Sequence, residues 1–227
     1  MPQRCRWRQY ADGHAFDNAV LEFIDDSVRR AIRERHSFYI VLAGGNTPQP
    51  IYKKLAQMDY EWAAWHIFFG DERCLPLHDS ARNSTMACDA WLNHVPIPRS
   101  QIHVIPAQDG PEQAALAYAK LLQDVRQFDL VLLGLGEDGH TASLFPGKDW
   151  GTEPGAPDVL PIREAPKPPS ERVSLSAKRL SLARGIAVMV KGKDKLPALQ
   201  DWQSGKKLPI SAIRPEHGLD VFVSELT

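Results

Sequence analysis

Cysteine is scarce in this chain. Cys5, Cys74 and Cys88 are all it has in 227 residues, and no two stand in a CxxC pair. An odd, unpaired count excludes a disulfide framework and a structural zinc site, and it fits a reducing cytoplasm. Long apolar runs are missing as well: no stretch approaches the roughly 18 consecutive apolar residues of a membrane helix. The first ten residues carry Arg4, Arg6 and Arg8 with no apolar run behind them, so no secretory leader is expected. Neither sign of charge dominates. Twenty-seven Lys and Arg oppose 28 Asp and Glu, for a net charge of −1. No global field draws the chain to nucleic acid or to a membrane surface, so an anionic partner must be held by a local cluster. HExxH and paired histidines on one helix face are absent, and no metal is expected. Also absent are GxGxxG, the P-loop pattern and the GxSxG elbow of serine hydrolases.

What is present is an alternation of two periods. Val20, Leu21, Ile24, Val28, Ala31 and Ile32 recur at spacings of three and four, which predicts a helix over Asn18 to Arg35. Phe38 to Ala43 is a short apolar run ending at Gly44-Gly45, a buried strand. Thr47-Pro48 opens the next helix, with a capping hydroxyl followed by proline in the first turn, running to about Gln57. The cycle repeats with a strand at Trp65 to Phe69, a loop from Gly70 to Ser80 and a helix over Ala81 to Asn93. A short strand at Gln101 to Ile105, a helix at Pro111 to Gln127 and a strand at Asp129 to Leu133 follow. Seven prolines between Pro146 and Pro169 mark an extended surface loop. Strand character returns at Arg172 to Ser176, Ile186 to Val190 and Leu219 to Val223, with a helix at Lys193 to Trp202. Such alternation implies βαβ units on a mainly parallel sheet, an α/β fold whose ligands bind beyond the carboxyl ends of the strands.

Three loops after strands carry unusual residues. In "LAGGNTPQP" the glycines Gly44 and Gly45, with Asn46 and Thr47, form either an anion cradle of backbone N–H groups or a tight turn whose Thr47 caps a helix. In "FFGDERCLPLHDSARNS" the charges of Asp71, Glu72 and Arg73 follow a buried strand, where they cost desolvation unless paired or used. A solvated turn with a local Asp–Arg pair is the plainer alternative, and His78 is an exposed bystander. In "GLGEDGHTASLFPG" Asp138 stands two residues before His140. A carboxylate there fixes the imidazole in one tautomer, as a general base requires; the alternative is a capping Asp beside a surface His. Arg172 and Lys195 are two later cations that, arriving at the same sheet edge, could clamp a phosphate.

Taken together, "AGGNTP", "FFGDER.LP..D...NS" and "LLGLGEDGHTASLFPG", supported by "ERVSL" and "VKGKDK", resemble the 6-phosphogluconolactonase family, within the wider group that includes glucosamine-6-phosphate deaminases. The likeness runs from about Phe38 to Val223. It implies a single α/β domain over residues 1–227 with a Rossmann-like, mainly parallel sheet flanked by helices. The implied activity is hydrolysis of 6-phospho-D-glucono-1,5-lactone to 6-phosphogluconate, the second step of the oxidative pentose phosphate pathway, without metal or organic cofactor. The partner would be that small sugar-phosphate lactone, with neither nucleic acid nor membrane. Ala43 and Asn46 stand where the family usually has serine, leaving Thr47 and backbone donors for the phosphate. The deaminases carry a glutamate just before Pro-Gly in the third motif, where this chain has Phe145. On this likeness His140 is the base, Asp138 its orienting partner, Arg172, Lys195 and Gly44 to Thr47 the phosphate holders, and Asp71 and Arg73 the remaining wall, with Arg73 either steadying His140 or reaching phosphate. A sugar-phosphate deaminase or isomerase, and a non-catalytic sugar-phosphate sensor, are the alternatives on the same fold.

Overall fold

The computed structural model describes residues 3–225. The chain begins with an edge strand, β1 (Cys5–Gln9), and α1 (Gly13–Arg35). The α1 helix starts five residues before the expected Asn18. Asp12 caps it, its carboxylate accepting from the Ala15 N–H at 2.8 Å. Its face of Phe16, Val20, Ile24, Val28 and Ala31 is buried against the sheet. Then follow β2 (Phe38–Leu42), α2 (Gln49–Leu55), β3 (Trp65–Phe69), β4 (Asp71–Arg73), α3 (Asn83–Ala87), β5 (Ile102–His103) and α4 (Pro111–Leu121). The second half contains β6 (Phe128–Gly134), β7 (Val159–Ile162), β8 (Arg172–Leu175), α5 (Ala177–Ser181), β9 (Ala183–Lys191), α6 (Leu196–Gln203) and β10 (Leu219–Ser224).

Seven strands form one sheet in the order β1-β10-β9-β6-β2-β3-β5, and every pairing in it is parallel. The middle strand β6 is buried from Phe128 to Leu133, as an apolar run covered on both faces must be. From β2 the chain winds outward to β3 and β5, and from β6 it winds the other way to β9 and β10. The connections therefore diverge between β2 and β6, which pair at Ile40 with Leu130 and Val41 with Val131. A crevice opens at such a point, beyond the carboxyl ends of the two strands.

Four local expectations change. Asp71 to Arg73 is not loop but β4, and with β8 and β7 it makes a second, antiparallel sheet in the order β4-β8-β7. The chain leaves the main sheet at Gly70, whose N–H still donates to Leu42 while its carbonyl accepts from Leu175. Arg172 to Ser176 accordingly belongs to this second sheet rather than the parallel one. The proline-rich stretch supplies β7, an edge strand whose Pro161 is exposed. An edge position is where a residue without an N–H can sit. The helix expected over Ala81 to Asn93 is α3 followed by a π turn at Cys88–Leu92, which carries Trp91 into a ring cluster with Tyr52, Trp62 and Trp65.

The N-terminal arginines are explained by β1. Arg6 and Arg8, two residues apart and so on one face, both reach Asp220 on β10, at 2.6 and 2.7 Å. Burial alone would raise the Asp220 carboxyl, but its hydrogen bonds to Arg6 and Arg8 and their charges hold it below the ordinary value. A depressed carboxyl contributes stability above its unfolded pKa of about 3.9 and loses it as pH falls through the folded value. Asp220→Asn should lower unfolding free energy at pH 7 by about 1–2 kcal/mol. Denaturant melts of the parent and variant should begin to converge only as pH falls below about 4, and a gap that stays constant through the acid titration would contradict the ion-pair account.

Candidate active site

At the crevice between β2 and β6 lies a cavity of about 400 Å³. The loop after β2 (Gly44, Gly45, Asn46, Thr47), the loop after β6 (Gly134 to Gly136, His140 to Ala142), β4 and α3 (Asp71, Arg73, Asn83), Arg172, and the turn after β9 (Lys191, Asp194, Lys195) all line it. Of the residues assigned from sequence to catalysis or substrate binding, all line this cavity except Asp138, which is hydrogen-bonded to His140.

His140 is fixed from behind. Its Nδ1 lies 2.5 Å from Asp138 Oδ1, and its backbone N–H donates to the same oxygen at 3.2 Å. Burial pushes the Asp138 carboxyl up, but the hydrogen bond and charge of His140 outweigh it and hold the carboxyl below the ordinary range. An ionised Asp138 can only accept, so Nδ1 carries the proton and donates to it, and the neutral ring presents its lone pair at Nε2, which has no partner among the described residues. The ring packs on Phe145, centroids 4.9 Å apart. It also lies where a side chain on Gly136 would be: a Cβ there would come within 2.0 Å of Nδ1.

The charges after β3 are used, not solvated. Glu72 is fully buried, and its two carboxylate oxygens accept from the N–H groups of Asn83 (2.7 Å) and Ser84 (2.8 Å), capping α3 from a distant strand. Asp71 is buried too. One of its oxygens accepts from Asn83 Nδ2 at 2.9 Å and the other from Ser143 Oγ at 2.5 Å. Arg73 gives Nη1 to the carbonyl of Ala81, and the hydrogen bond that steadies His140 comes from Asp138 instead.

The cations sit differently from each other. Arg172, at the start of β8, is opposite Arg73 in the antiparallel register. It donates Nε to Pro169 and Nη2 to the carbonyls of Lys167 and Pro168, and lies over the Phe145 ring. Burial lowers its pKa, opposed by the charge of Asp71. Of its three nitrogens, Nη1 has no partner among the described residues. Lys195 pairs with Asp194 at 2.7 Å and Glu137 at 3.7 Å. In the glycine loop, Gly45 has φ +89° and nothing within 4 Å of its missing side chain, so its backbone face is bare. Thr47 makes no capping bond; α2 begins at Gln49 after Pro48.

Sequence reasoning missed several parts. Tyr52 is buried in α2, and its hydroxyl both accepts from Ala43 N–H (3.0 Å) and donates to Ala43 C=O (2.8 Å), pinning the strand end from which the glycine loop departs. Nothing local in "PIYKK" signals this. Asn83, Ser143, Lys191 and Asp194 were also missed. Among the described residues no group of three or more His, Cys, Asp or Glu is gathered to hold a metal ion, and no helix is long and apolar enough to cross a membrane.

The sequence profile of the family described as glucosamine-6-phosphate isomerases/6-phosphogluconolactonase matches residues 11–222. A 6-phosphogluconolactonase of Mycobacterium leprae is 34% identical over 204 residues, 84% of this chain and 82% of its own length. Another, of Synechocystis sp., is 40% identical over 189 residues, 79% of this chain and 77% of that protein. Among solved structures, 6-phosphogluconolactonase of Thermotoga maritima superposes with a TM-score of 0.90 at 28% identity, covering 98% of this chain and 100% of that one.

A methyl group at position 136 should displace the imidazole. Gly136→Ala is expected to cost about 1–3 kcal/mol through overpacking. It should also remove the ¹⁵N NMR signature of a hydrogen-bonded Nδ1 on His140. An unchanged imidazole spectrum in the folded variant would contradict the close approach.

Proposed function

Because the chain belongs to the glucosamine-6-phosphate isomerase/6-phosphogluconolactonase family, we propose that it is a 6-phosphogluconolactonase, hydrolysing 6-phospho-D-glucono-1,5-lactone to 6-phosphogluconate in the oxidative pentose phosphate pathway. One observation carries the chemistry. The imidazole of His140, with Nδ1 tied to Asp138, lines the same cavity as Arg172, Lys195 and the Gly44 to Thr47 loop.

A lactone carbonyl is already electrophilic, so catalysis asks mainly for an activated water and a held substrate. Neutral His140 takes a proton at Nε2 from water as the oxygen attacks C1, and the imidazolium then protonates the departing ring oxygen. Asp138 keeps the ring in the required tautomer and stabilises its charged form. General acid–base help of this kind is worth about 10²- to 10⁴-fold. Lys195, Arg172 and the backbone of Gly44, Gly45, Asn46 and Thr47 hold the phosphate, remote from C1, and that binding energy positions the carbonyl. Asp71 and Arg73 complete the wall. The position ahead of Pro146-Gly147 is the buried Phe145, which supplies no carboxylate for sugar ring opening and deamination. The three cysteines are free thiols, which suits action in a reducing cytoplasm.

His140→Ala should lower kcat at least 100-fold in a lactonase assay corrected for spontaneous opening; near-normal turnover in the folded variant would remove His140 from this role. Lys195→Ala should raise KM for the phosphorylated lactone by about tenfold or more, consistent with loss of a charge-assisted contact, while leaving unphosphorylated gluconolactone nearly unaffected. Equal losses on both substrates would contradict a phosphate clamp. Arg172→Ala is the less clean test, because Arg172 also ties down residues 167–169.

A further inference from the structure

We infer that Asn83 is a specificity-determining residue of this cavity, whose carboxamide oxygen accepts a hydrogen bond from one of the ring hydroxyls of the bound lactone.

The orientation of the amide is settled by its neighbours. Nδ2 lies 2.9 Å from both the carbonyl and the carboxylate oxygen of Asp71. Both are acceptors, so the nitrogen must face them and the oxygen must point away. That oxygen has no hydrogen-bond partner, although Asn83 is only 3% exposed. Buried polar atoms in folded proteins are nearly always partnered, and leaving one unmet costs about 1–3 kcal/mol. Other buried orphans, such as the indole nitrogens of Trp65 and Trp91, sit in a cluster of rings whose faces accept weak hydrogen bonds. An amide oxygen has no such recourse; it needs a donor.

Asn83 lines the cavity, so a ligand seated there is the group placed to supply the missing donor. The oxygen lies over Gly44, where a side chain would come within 1.9 Å of it, so it stands between Asp71 and the glycine loop. Arg73 lines the same cavity and its Nε is also a buried orphan, in this case a donor. This wall therefore offers one unmet acceptor and one unmet donor, and a hydroxyl is the group that both gives and takes a hydrogen bond. Sites built around a substrate hydroxyl reject the analogue lacking it strongly, because the protein group is then stranded.

This inference rests on the lactonase assignment, and the test separates the two. The 2-, 3- and 4-deoxy forms of 6-phosphogluconolactone are assayed with the parent enzyme and with Asn83→Ala. With the parent, one deoxy form should lose at least about 100-fold in kcat/KM. With Asn83→Ala the full substrate should lose a comparable factor, and the penalty for that deoxy form should shrink to within about threefold. Asn83→Ser, which keeps a donor for Asp71 while withdrawing the oxygen, gives the same pattern if Asn83→Ala does not fold. Deoxy penalties unchanged by either substitution would overturn the inference while leaving the lactonase intact. A parent enzyme inert towards the lactone would overturn the activity instead. The same pairing would then be read calorimetrically as Kd for 6-phosphogluconate and its deoxy forms, where absent coupling again defeats the role of Asn83.

Discussion

A buried carboxylate with no cation in contact holds the cavity together. Asp71 accepts a hydrogen bond from the Ser143 hydroxyl on one oxygen and from the Asn83 amide on the other. Ser143 belongs to the turn that presents His140, Asn83 opens α3, and Asp71 itself sits where the chain leaves the main sheet. Ser143 N–H in turn accepts the company of β8 by donating to Ser174 Oγ at 3.2 Å. Three segments far apart in sequence are thus fastened by charge-assisted hydrogen bonds, which are shorter and stronger than neutral ones. In a low-dielectric interior such a network is stiff when complete and costly when one member is lost.

The electrostatics of the crevice follow from its place in the fold. The protein as a whole is nearly neutral, yet the ends of β9 and β8 bring Lys191, Lys195 and Arg172 to one cavity. Asp194 and Glu137 meet Lys195, and Glu225 meets Lys191 at 3.4 Å, so those cations are balanced at the rim. Arg172 is different. It is buried and hydrogen-bonded to carbonyls rather than to a carboxylate, with Asp71 acting on it only at a distance, so its charge is not neutralised by a direct partner. An anion entering the cavity meets that charge with little competing water, where Coulombic attraction is least screened.

The parallel sheet was legible because its signal is local. Apolar runs such as Phe38 to Leu42 and Asp129 to Leu133 declare themselves as buried strands, and their alternation with periodic helices dictates the rest. The second sheet was not legible. Its strands β4 and β7 are short; one is composed of three charged residues, and the other is four residues interrupted by a proline inside a proline-rich stretch, so neither reads as a strand. They exist because β8 pairs with both, and for β4 that partner lies about a hundred residues away, which leaves no trace in the local pattern. The site divides the same way. His140 and Asp138 are two residues apart and could be read as a unit. Tyr52, Asn83 and Ser143 act through bonds to residues 9, 12 and 72 positions distant, and nothing in their own neighbourhoods announces it.

The glycines show why the motifs are as they are. From sequence they suggest room for backbone N–H groups to approach an anion, and Gly45, with its positive φ and open face, fits that account. Gly44 and Gly136 serve another purpose. Neither needs an unusual backbone angle, yet a single methyl on either would strike the side chain of Asn83 or the ring of His140. In each loop a side chain of the cavity wall lies directly on bare main chain, which brings it closer to the backbone than any other residue would permit. The two loops thus use the absence of a side chain to settle where another one stands, and a polar side chain braced against rigid main chain loses little further freedom when a ligand reaches it.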